Sequence, residues 1–243
     1  MTCLLCQKTL EAQLSFADRI LGRTSPTELV CQKCRDSFVT IKGLTCRGCG
    51  RPLTPEIDRG EDGTICFECQ FWLNRLGYLL GHQALYEYGP ELKLYMAAYK
   101  FMGDYRLNII FREKMRRFIK RICQQQKIDL IVPIPVSQKR FNQRGFNQVQ
   151  PWLPKIAQNL LIVDLANKVD QSSLDRHARL HSPQPFRLSE DCGPKIKNRR
   201  VLLVDDIYTT GRTLYHGAEC FYQLGAAKVS SLSLVRSGDV DDG

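Results

Sequence analysis

One stretch, residues 201–213, constrains the fold of this chain more than any other. It reads VLLVDDIYTTGRT. Val201–Val204 is apolar without polar alternation, which is typical of a parallel strand buried on both faces. Asp205 and Asp206 follow at the carboxyl end of that strand, where open α/β sheets bind ligands. A helix is predicted over Thr213–Phe221, so the stretch indicates a strand, a short loop and a helix.

The loop between that strand and that helix has the composition of a phosphate cradle. Its hydroxylated residues surround a glycine, and such a loop at the start of a helix aims N–H groups and hydroxyls at one point. The predicted phosphate-binding residues are Tyr208, Thr209, Thr210, Gly211, Arg212 and Thr213. The two carboxylates suit ribose hydroxyls, or a magnesium ion shared with a diphosphate. The alternative, a solvated strand end followed by a helix cap, accounts less well for this combination in this order.

The first 69 residues contain four C-x2-C pairs. Two thiols at this spacing reach one tetrahedral metal ion, and four thiolates complete a structural zinc site. Pairing neighbours predicts two zinc sites, while spacing alone leaves an interleaved arrangement open. Metal-free thiols or redox pairs do not explain four repeats, and in every case a reducing cytoplasm is expected. The predicted ligands are Cys3, Cys6, Cys31 and Cys34 for one site and Cys46, Cys49, Cys66 and Cys69 for the other.

Positive charge is concentrated in the middle of the chain. The formal net charge is +10, and residues 97–200 contain 21 Lys and Arg against 8 Asp and Glu. A segment this basic suits a polyphosphate ligand, a nucleic acid or an acidic lipid surface, and the alternative is a solvated basic face. The chain contains no run of about twenty apolar residues, so no membrane span is predicted. Its N-terminus also lacks the basic flank and cleavage site of a signal peptide.

Strand and helix patterns alternate after the cysteine-rich region. Arg106–Gln126 is a basic amphipathic helix, with Leu107, Phe111, Met115, Phe118 and Ile122 predicted on its apolar face. Strands alternating with helices predict a mostly parallel, right-handed α/β sheet. The remaining predicted elements are a strand or hairpin within residues 77–89, a helix over 90–101, and strands at 129–132, 160–165, 200–204 and 228–235.

The order of these motifs resembles a known family. VLLVDDIYTTGRT is similar to the phosphoribosyl pyrophosphate (PRPP) signature of type I phosphoribosyltransferases. Four C-x2-C pairs followed by YKFMGDYRL, VPIP, RFNQRGFNQ and that signature resemble the ComF family of competence proteins. The resemblance implies a double zinc ribbon over residues 1–75, a phosphoribosyltransferase-like domain of mostly parallel strands flanked by helices over 76–236, and a disordered tail over 237–243.

The resemblance also implies roles for individual residues. Asp205 and Asp206 would hold the ribose hydroxyls, and the loop that follows would wrap the 5-phosphate. Residues 171–180 would form a lid over the ligand. The basic side chains expected to contact pyrophosphate or DNA are Lys100, Arg140, Arg144, Arg176 and Arg179. Two departures from the family pattern are Pro151 and Pro154, which interrupt a usual helix, and Ser182-Pro183 in the lid region.

The function implied by the resemblance is that of a late competence protein needed for natural transformation. Such a protein handles incoming single-stranded DNA on the cytoplasmic side, with peripheral attachment at the inner face of the membrane as an option. The implied cofactors are two structural Zn2+ ions and Mg2+ with PRPP, and the implied partners are the competence helicase ComFA, single-stranded DNA and the recombination mediator DprA. Two alternatives remain open: an active phosphoribosyltransferase with an unknown acceptor, and zinc ribbons that read nucleic acid beside a vestigial PRPP fold.

Overall fold

The computed structural model of the chain describes residues 2–10, 30–54, 63–100, 102–164, 183–190 and 192–237. The predicted lid, with Arg176 and Arg179, lies outside the described residues. The predicted tail also lies outside them, apart from Ser237.

A parallel sheet forms the centre of the described chain. Its strand order is β1-β6-β5-β2, and every neighbouring pair is parallel. The predicted α/β sheet is thereby confirmed. The strands are β1 Gln83–Glu87, β2 Leu130–Pro133, β5 Arg200–Tyr208 and β6 Lys228–Arg236.

Helices cover both faces of this sheet. The two longest are α4, which carries the predicted basic amphipathic pattern, and α7, which follows β5. All five residues of the predicted apolar stripe are buried; four lie on α4, and Leu107 lies in the 3-10 turn just before it. The described helices are α1 Gln32–Asp36, α2 Phe67–Leu76, α3 Pro90–Lys100, α4 Asn108–Gln126, α5 Gln138–Arg144, α6 Gly193–Ile196 and α7 Arg212–Gln223.

The alternation of side chains along β5 divides the core into two layers. Val201 and Leu203 belong to a cluster that includes α7 and the second group of cysteines. Leu202 and Val204 belong to the opposite cluster, with α3 and α4. This division follows from the period of two in a strand, because neighbouring residues point to opposite faces. A strand buried on both sides needs apolar residues at every position, which is why the VLLV run contains no polar residue.

One predicted strand joins a different sheet. Residues 160–165 were expected to continue the parallel α/β pattern, but β3, Leu161–Val163, pairs in antiparallel fashion with β4, Phe186–Leu188. This two-stranded sheet packs against α7, where Leu161 and Leu203 approach Gly217. A side chain at Gly217 would lie 3.1 Å from Leu203 and 3.2 Å from Leu161, so the glycine allows close packing of helix and strands.

Other element boundaries differ slightly from the sequence expectation. Residues 77–89 supply the single strand β1 of the parallel sheet and not a hairpin. Helix α5 ends at Gly145 in a left-handed conformation, with φ of 80°. The region of the two prolines contains only a 3-10 turn, Gln150–Trp152, so the expected interruption of the helix is confirmed. Among the described helices, none has the length and apolar character to cross a membrane.

Candidate functional site

The two acids lie near the carboxyl end of β5, at the edge of the sheet predicted to bind ligand. The strand continues through them to Tyr208, and Asp205 is in register with Ser233 of β6. Asp206 is buried, and Asp205 is partly buried. The backbone N–H of Asp206 donates a 2.8 Å hydrogen bond to Oδ1 of Asp205, which fixes the orientation of the first carboxylate.

Lys100 lies against this acid pair. Its Nζ is 2.8 Å from Oδ2 of Asp206, and the two side chains are 15% and 6% exposed. Lys100 is the last residue of α3, so the helix end delivers an ammonium group to the end of β5. The charge of Lys100 is therefore largely neutralised before any ligand arrives. A ligand that binds to either side chain must compete with this ion pair.

Arg140 and Arg144, on α5, lie within electrostatic range of the acid pair. The charge of Arg140 acts on Asp205, and the charge of Asp206 acts on Arg144. Burial lowers the pKa of the Arg144 guanidinium from its usual value, and the charge of Asp206 opposes that change. The structure thus brings together three of the five basic residues predicted to contact pyrophosphate or DNA.

The pKa of Asp205 is raised to about 7. Burial is the main cause, because it disfavours the charged form, and the negative charge of Asp206 adds to it. The charges of Lys100 and Arg140 and the hydrogen bond from Asp206 act in the opposite direction. Near neutral pH this carboxyl is therefore divided between its protonated and ionised forms.

The predicted phosphate loop has the backbone expected of a cradle. Gly211 caps α7 with φ of 79°, a left-handed conformation that favours glycine. A Cβ at this position would collide with the ring of Tyr208. Both constraints require glycine, so the loop can pass closely over Tyr208 and present the amino end of α7. Oγ1 of Thr210 accepts a hydrogen bond of 3.4 Å from the backbone N–H of Arg212 within the loop.

Two of the predicted phosphate-binding side chains point into the protein. The Arg212 guanidinium lies 3.1 Å from Oε1 of Glu219 and 5.7 Å from the ring centre of Trp72. Tyr208 is buried beneath the loop, where its ring contacts His82. Their side chains therefore brace the loop from below. Thr209 is exposed, and Thr213 is partly buried at the start of α7.

Sequence reasoning missed two residues that support this loop. Nε1 of Trp72 donates a 3.1 Å hydrogen bond to the carbonyl oxygen of Thr210. The Arg236 guanidinium lies 4.7 Å from the ring centre of Tyr208. Trp72 offers no signal in the sequence, since its partner is 138 positions away. Arg236 offers a weak signal, because it is the last residue of β6, an apolar strand that neighbours β5 in the sheet.

Two groups of four cysteines occur among the residues that the structure describes, and they are the groups predicted from neighbouring pairs. Within each group the sulfur atoms lie within 4.8 Å of one another. Contacts between pairs measure 3.9 Å for Cys3 and Cys34 and 3.7 Å for Cys49 and Cys66. Zinc–sulfur bonds of about 2.3 Å in a tetrahedron place sulfurs about 3.8 Å apart, so both groups fit zinc.

The two cysteine groups differ in their surroundings. The second group is buried throughout and belongs to the same core as α7 and the sheet. In the first group Cys6 is exposed, while Cys31 and Cys34 are partly buried. Backbone N–H groups of Cys31 and Cys66 donate to sulfurs of Cys3 and Cys46, at 3.4 Å and 3.2 Å. Such bonds stabilise thiolates and orient them toward a shared ion.

A cluster of charged side chains joins the second cysteine group to the end of β6. The Arg236 guanidinium lies 3.6 Å from Sγ of Cys49 and 3.3 Å from Oε2 of Glu68. The same carboxylate oxygen is 2.7 Å from Arg51. Hydrogen bonds with the thiols of Cys46, Cys66 and Cys69 lower the pKa of Cys49; burial opposes this effect, and the positive charge of Arg236 adds to it. These contacts connect the predicted zinc site to Tyr208 and hence to the phosphate loop.

Comparison with known proteins agrees with this geometry. A family model described as "Phosphoribosyl transferase domain" matches residues 108–240, more than half of the chain. The matched segment contains the acid pair, the glycine loop and α5. The class of protein defined by the fold and the site is thus that of the phosphoribosyltransferase-like domains.

Full-length relatives narrow the family further. The chain is 33% identical to "Competence protein ComFC" of Streptococcus pneumoniae over 97% of its length and 100% of that protein's. It is 30% identical to "Competence protein ComFC" of Bacillus subtilis over 98% of its length and 95% of the relative's. "Competence protein F" of Haemophilus influenzae is 25% identical, over 85% of this chain and 96% of that protein. The chain therefore belongs to the ComFC family of competence proteins.

Proposed function

We propose that this protein serves natural transformation as a phosphoribosyl-binding component that handles incoming single-stranded DNA on the cytoplasmic side. One observation carries the ligand part of the proposal. The acid pair, the glycine loop before α7 and three basic side chains meet at one edge of the parallel sheet. Carboxylates, helix N–H groups and cations are the groups that a sugar bearing phosphate and diphosphate requires.

Each part of a PRPP molecule has a chemical counterpart at this edge. The ionised carboxylates of Asp205 and Asp206 accept hydrogen bonds from the ribose hydroxyls. The amino end of α7 and the residues around Gly211 surround the 5-phosphate. Arg140 and Arg144 balance the charge of the diphosphate, and Lys100 adds to them once it separates from Asp206. Mg2+, when bound with PRPP, supplies further positive charge to the diphosphate oxygens.

The DNA part of the proposal rests on charge and on the relatives. Three of the compared proteins carry competence in their names. The basic residues of the middle segment suit a phosphodiester backbone, whose binding depends on salt because cations on the protein displace counterions. We propose ComFA, and also DprA, as protein partners in this process.

The zinc sites have a structural role in this proposal. Four thiolates leave no open coordination position, so such a site supplies folding free energy and no catalysis. The groups that would hold the ions are the two sets of four cysteines described above.

The direct test is a calorimetric titration of zinc-replete protein with PRPP and Mg2+. Saturable binding is expected, and it should be lost in the double variant Asp205→Asn/Asp206→Asn. A matched control is Asp129→Asn, since Asp129 lies at the opposite end of the same sheet and accepts from the N–H of Arg200. If the double variant binds PRPP and supports transformation as well as the control does, the proposed site is wrong.

A second candidate function is catalysis at the same site, as an active phosphoribosyltransferase. The family match and the intact acid pair favour it. Displacement at the anomeric carbon would release pyrophosphate and transfer the phosphoribosyl group to an acceptor. Release of pyrophosphate that depends on both Mg2+ and an added acceptor would support this function. If PRPP binds but is recovered intact after the incubation, the result would support the binding function alone.

A further inference from the structure

A cavity of about 540 Å³ lies at the carboxyl end of β2, the strand that pairs with β5. Its floor is formed by the residues that follow β2, including Pro135, and its walls come from α5 and the turn after it. Three aromatic rings line it, those of Tyr105, Phe141 and Phe146. Its volume lies within the range of about 300–1,000 Å³ that is usual for pockets that hold organic ligands.

The aromatic rings of this cavity are accessible from solvent. Phe141 is 44% exposed and Tyr105 is 52% exposed, although both are large apolar side chains. Phe146 is held in place by two other rings. Its centre lies 5.1 Å from that of Tyr99 at an interplanar angle of 39°, and 5.1 Å from that of Tyr105 at 77°. A fixed ring next to two exposed rings is suited to receive a planar aromatic group.

Trp152 does not belong to this cavity surface. It is fully buried in the core between α4 and the sheet. The structure thus separates a packing residue from Phe141 and Phe146.

Amide side chains give the cavity a polar edge. Asn147, Gln150 and Asn159 line it. Asn147 is oriented by the protein itself, since its Nδ2 donates to the carbonyl oxygen of Ile134 at 3.0 Å and its Oδ1 accepts from the N–H of Val149. Gln150 and Asn159 are exposed. Amides carry both a donor and an acceptor, which matches the mixed edge of a nucleobase.

Positively charged residues lie close in the structure to several of the lining residues. Lys139, Arg140 and Arg144 lie on α5 together with Phe141. Nη2 of Arg116 reaches the carbonyl oxygen of Pro151 at 3.5 Å, beside another part of the lining. A ligand with a planar ring and adjacent negative charges would match both the aromatic rings and the positive charge. Aromatic platforms inside a basic groove are the usual means of holding single-stranded nucleic acid without sequence preference.

We propose that this cavity holds a base of single-stranded DNA, stacked on Phe141 and Phe146, with the neighbouring phosphates over the basic residues of α5. The proposal rests on the DNA-handling part of the proposed function and names where the strand sits. Because β2 neighbours β5, the bound base lies next to the phosphoribosyl site. The two ligands would then share Arg140 and Arg144, and each would change the affinity of the other.

The test is binding of a fluorescent thymidine oligonucleotide to full-length, zinc-replete protein at low salt. Phe141→Ala should weaken binding by about 5- to 10-fold, the lower end of base–aromatic stacking, since Phe141 is half exposed. The matched control is Phe67→Ala, because Phe67 is an exposed phenylalanine on α2, 68% exposed and outside the cavity lining. Phe141→Trp should restore affinity, because a larger ring still stacks.

An abasic oligonucleotide of the same length separates stacking from charge. It should bind the unmodified protein at least as weakly as the thymidine strand binds Phe141→Ala, and it should bind the unmodified protein and Phe141→Ala equally. Equal binding of the thymidine strand by Phe141→Ala and Phe67→Ala would overturn the cavity as the base site. Tight binding of free thymidine monophosphate that excludes the oligonucleotide would also overturn it, in favour of a small-molecule site.

The failure of this inference is distinguishable from the failure of the proposed function. If the unmodified protein binds no single-stranded DNA at low salt, the DNA-handling function fails, and this inference fails with it. If the unmodified protein binds DNA in a salt-dependent manner but Phe141→Ala binds equally well, only the cavity assignment fails. PRPP binding by Phe141→Ala at unchanged affinity in the absence of DNA is expected in either case.

Discussion

The affinity for PRPP should rise with pH, because Asp205 must be ionised to accept hydrogen bonds from ribose. In the free protein, burial and the charge of Asp206 raise the pKa of Asp205 to about 7. Ligand binding favours the ionised form, so below that pH each binding event releases a proton from Asp205. The stability of the protein without ligand depends on pH in the opposite sense. Its stability falls as the pH rises from the unfolded carboxyl value of about 4 towards 7, because the folded state binds the extra proton.

The size of the effect follows from the ionised fraction of Asp205. With a pKa of about 7, that fraction is roughly one-eleventh at about pH 6 and ten-elevenths at about pH 8, so the association constant should increase about tenfold across this range. The increase should level off above that range. The phosphates of PRPP themselves titrate near about pH 6, so the contribution of Asp205 must be obtained by difference.

Calorimetric titrations of PRPP with Mg2+ at several pH values, in two buffers that differ in ionisation enthalpy, measure both affinity and proton release. Asp205→Asn supplies the difference, since it keeps the shape of the side chain but cannot ionise. Its residual affinity should lack the component due to Asp205, while Asp129→Asn should behave as the unmodified protein. If Asp205→Asn and the unmodified protein have the same pH dependence and the same proton release, the argument from the buried carboxyl is refuted.

Three further predictions concern the same site. Gly211→Ala should lower the free energy of unfolding by about 2 kcal/mol or more, since φ of 79° is strained for alanine and the new Cβ meets Tyr208, and phosphate affinity should fall. Gly77→Ala is the control, because Gly77 has a similar φ of 75° but open space around it. Urea denaturation should show for this variant only the loss of stability due to backbone strain. Lys100→Ala should destabilise the fold by about 2–3 kcal/mol because it leaves Asp206 buried without its ion pair, and restoration of stability at low pH would confirm this cause. Chelation should remove two zinc ions per chain and lower both the melting temperature and the PRPP affinity, whereas unchanged affinity after complete zinc removal would contradict a link between cluster and loop.

Much of this architecture is predictable from the sequence because local pattern and burial agree. The VLLV run of β5 lacks polar residues because both of its faces are covered, and the stripe of α4 has the helical period because one face packs on the sheet. The C-x2-C spacing shows that the two thiols of each pair can reach one metal ion. Pairing of neighbours is the simplest assignment, but spacing alone does not exclude an interleaved one, and the structure groups the neighbouring pairs.

Other features could not be predicted because they depend on contacts between distant parts of the chain. An apolar run such as Leu161–Val163 fits a parallel or an antiparallel strand equally well, and its partner Phe186–Leu188 decides the matter. The direction of a side chain in a loop is also set by tertiary contacts. Arg212 has the charge expected of a phosphate ligand, but Glu219 lies two helical turns further along α7, and the guanidinium pairs with it.

The contacts of the predicted phosphate loop suggest a structural role for the cysteine-rich N-terminal region. Trp72, just after the second cysteine group, holds the carbonyl of Thr210, and Arg236 bridges that group to the ring beneath Gly211. A loop that must keep a glycine in a left-handed conformation over a buried ring needs rigid neighbours on both sides. Four metal-bound thiolates provide such rigidity with few residues, because the ion fixes their relative positions. The buried cysteine group therefore supports the loop at the proposed ligand site through Trp72 and Arg236.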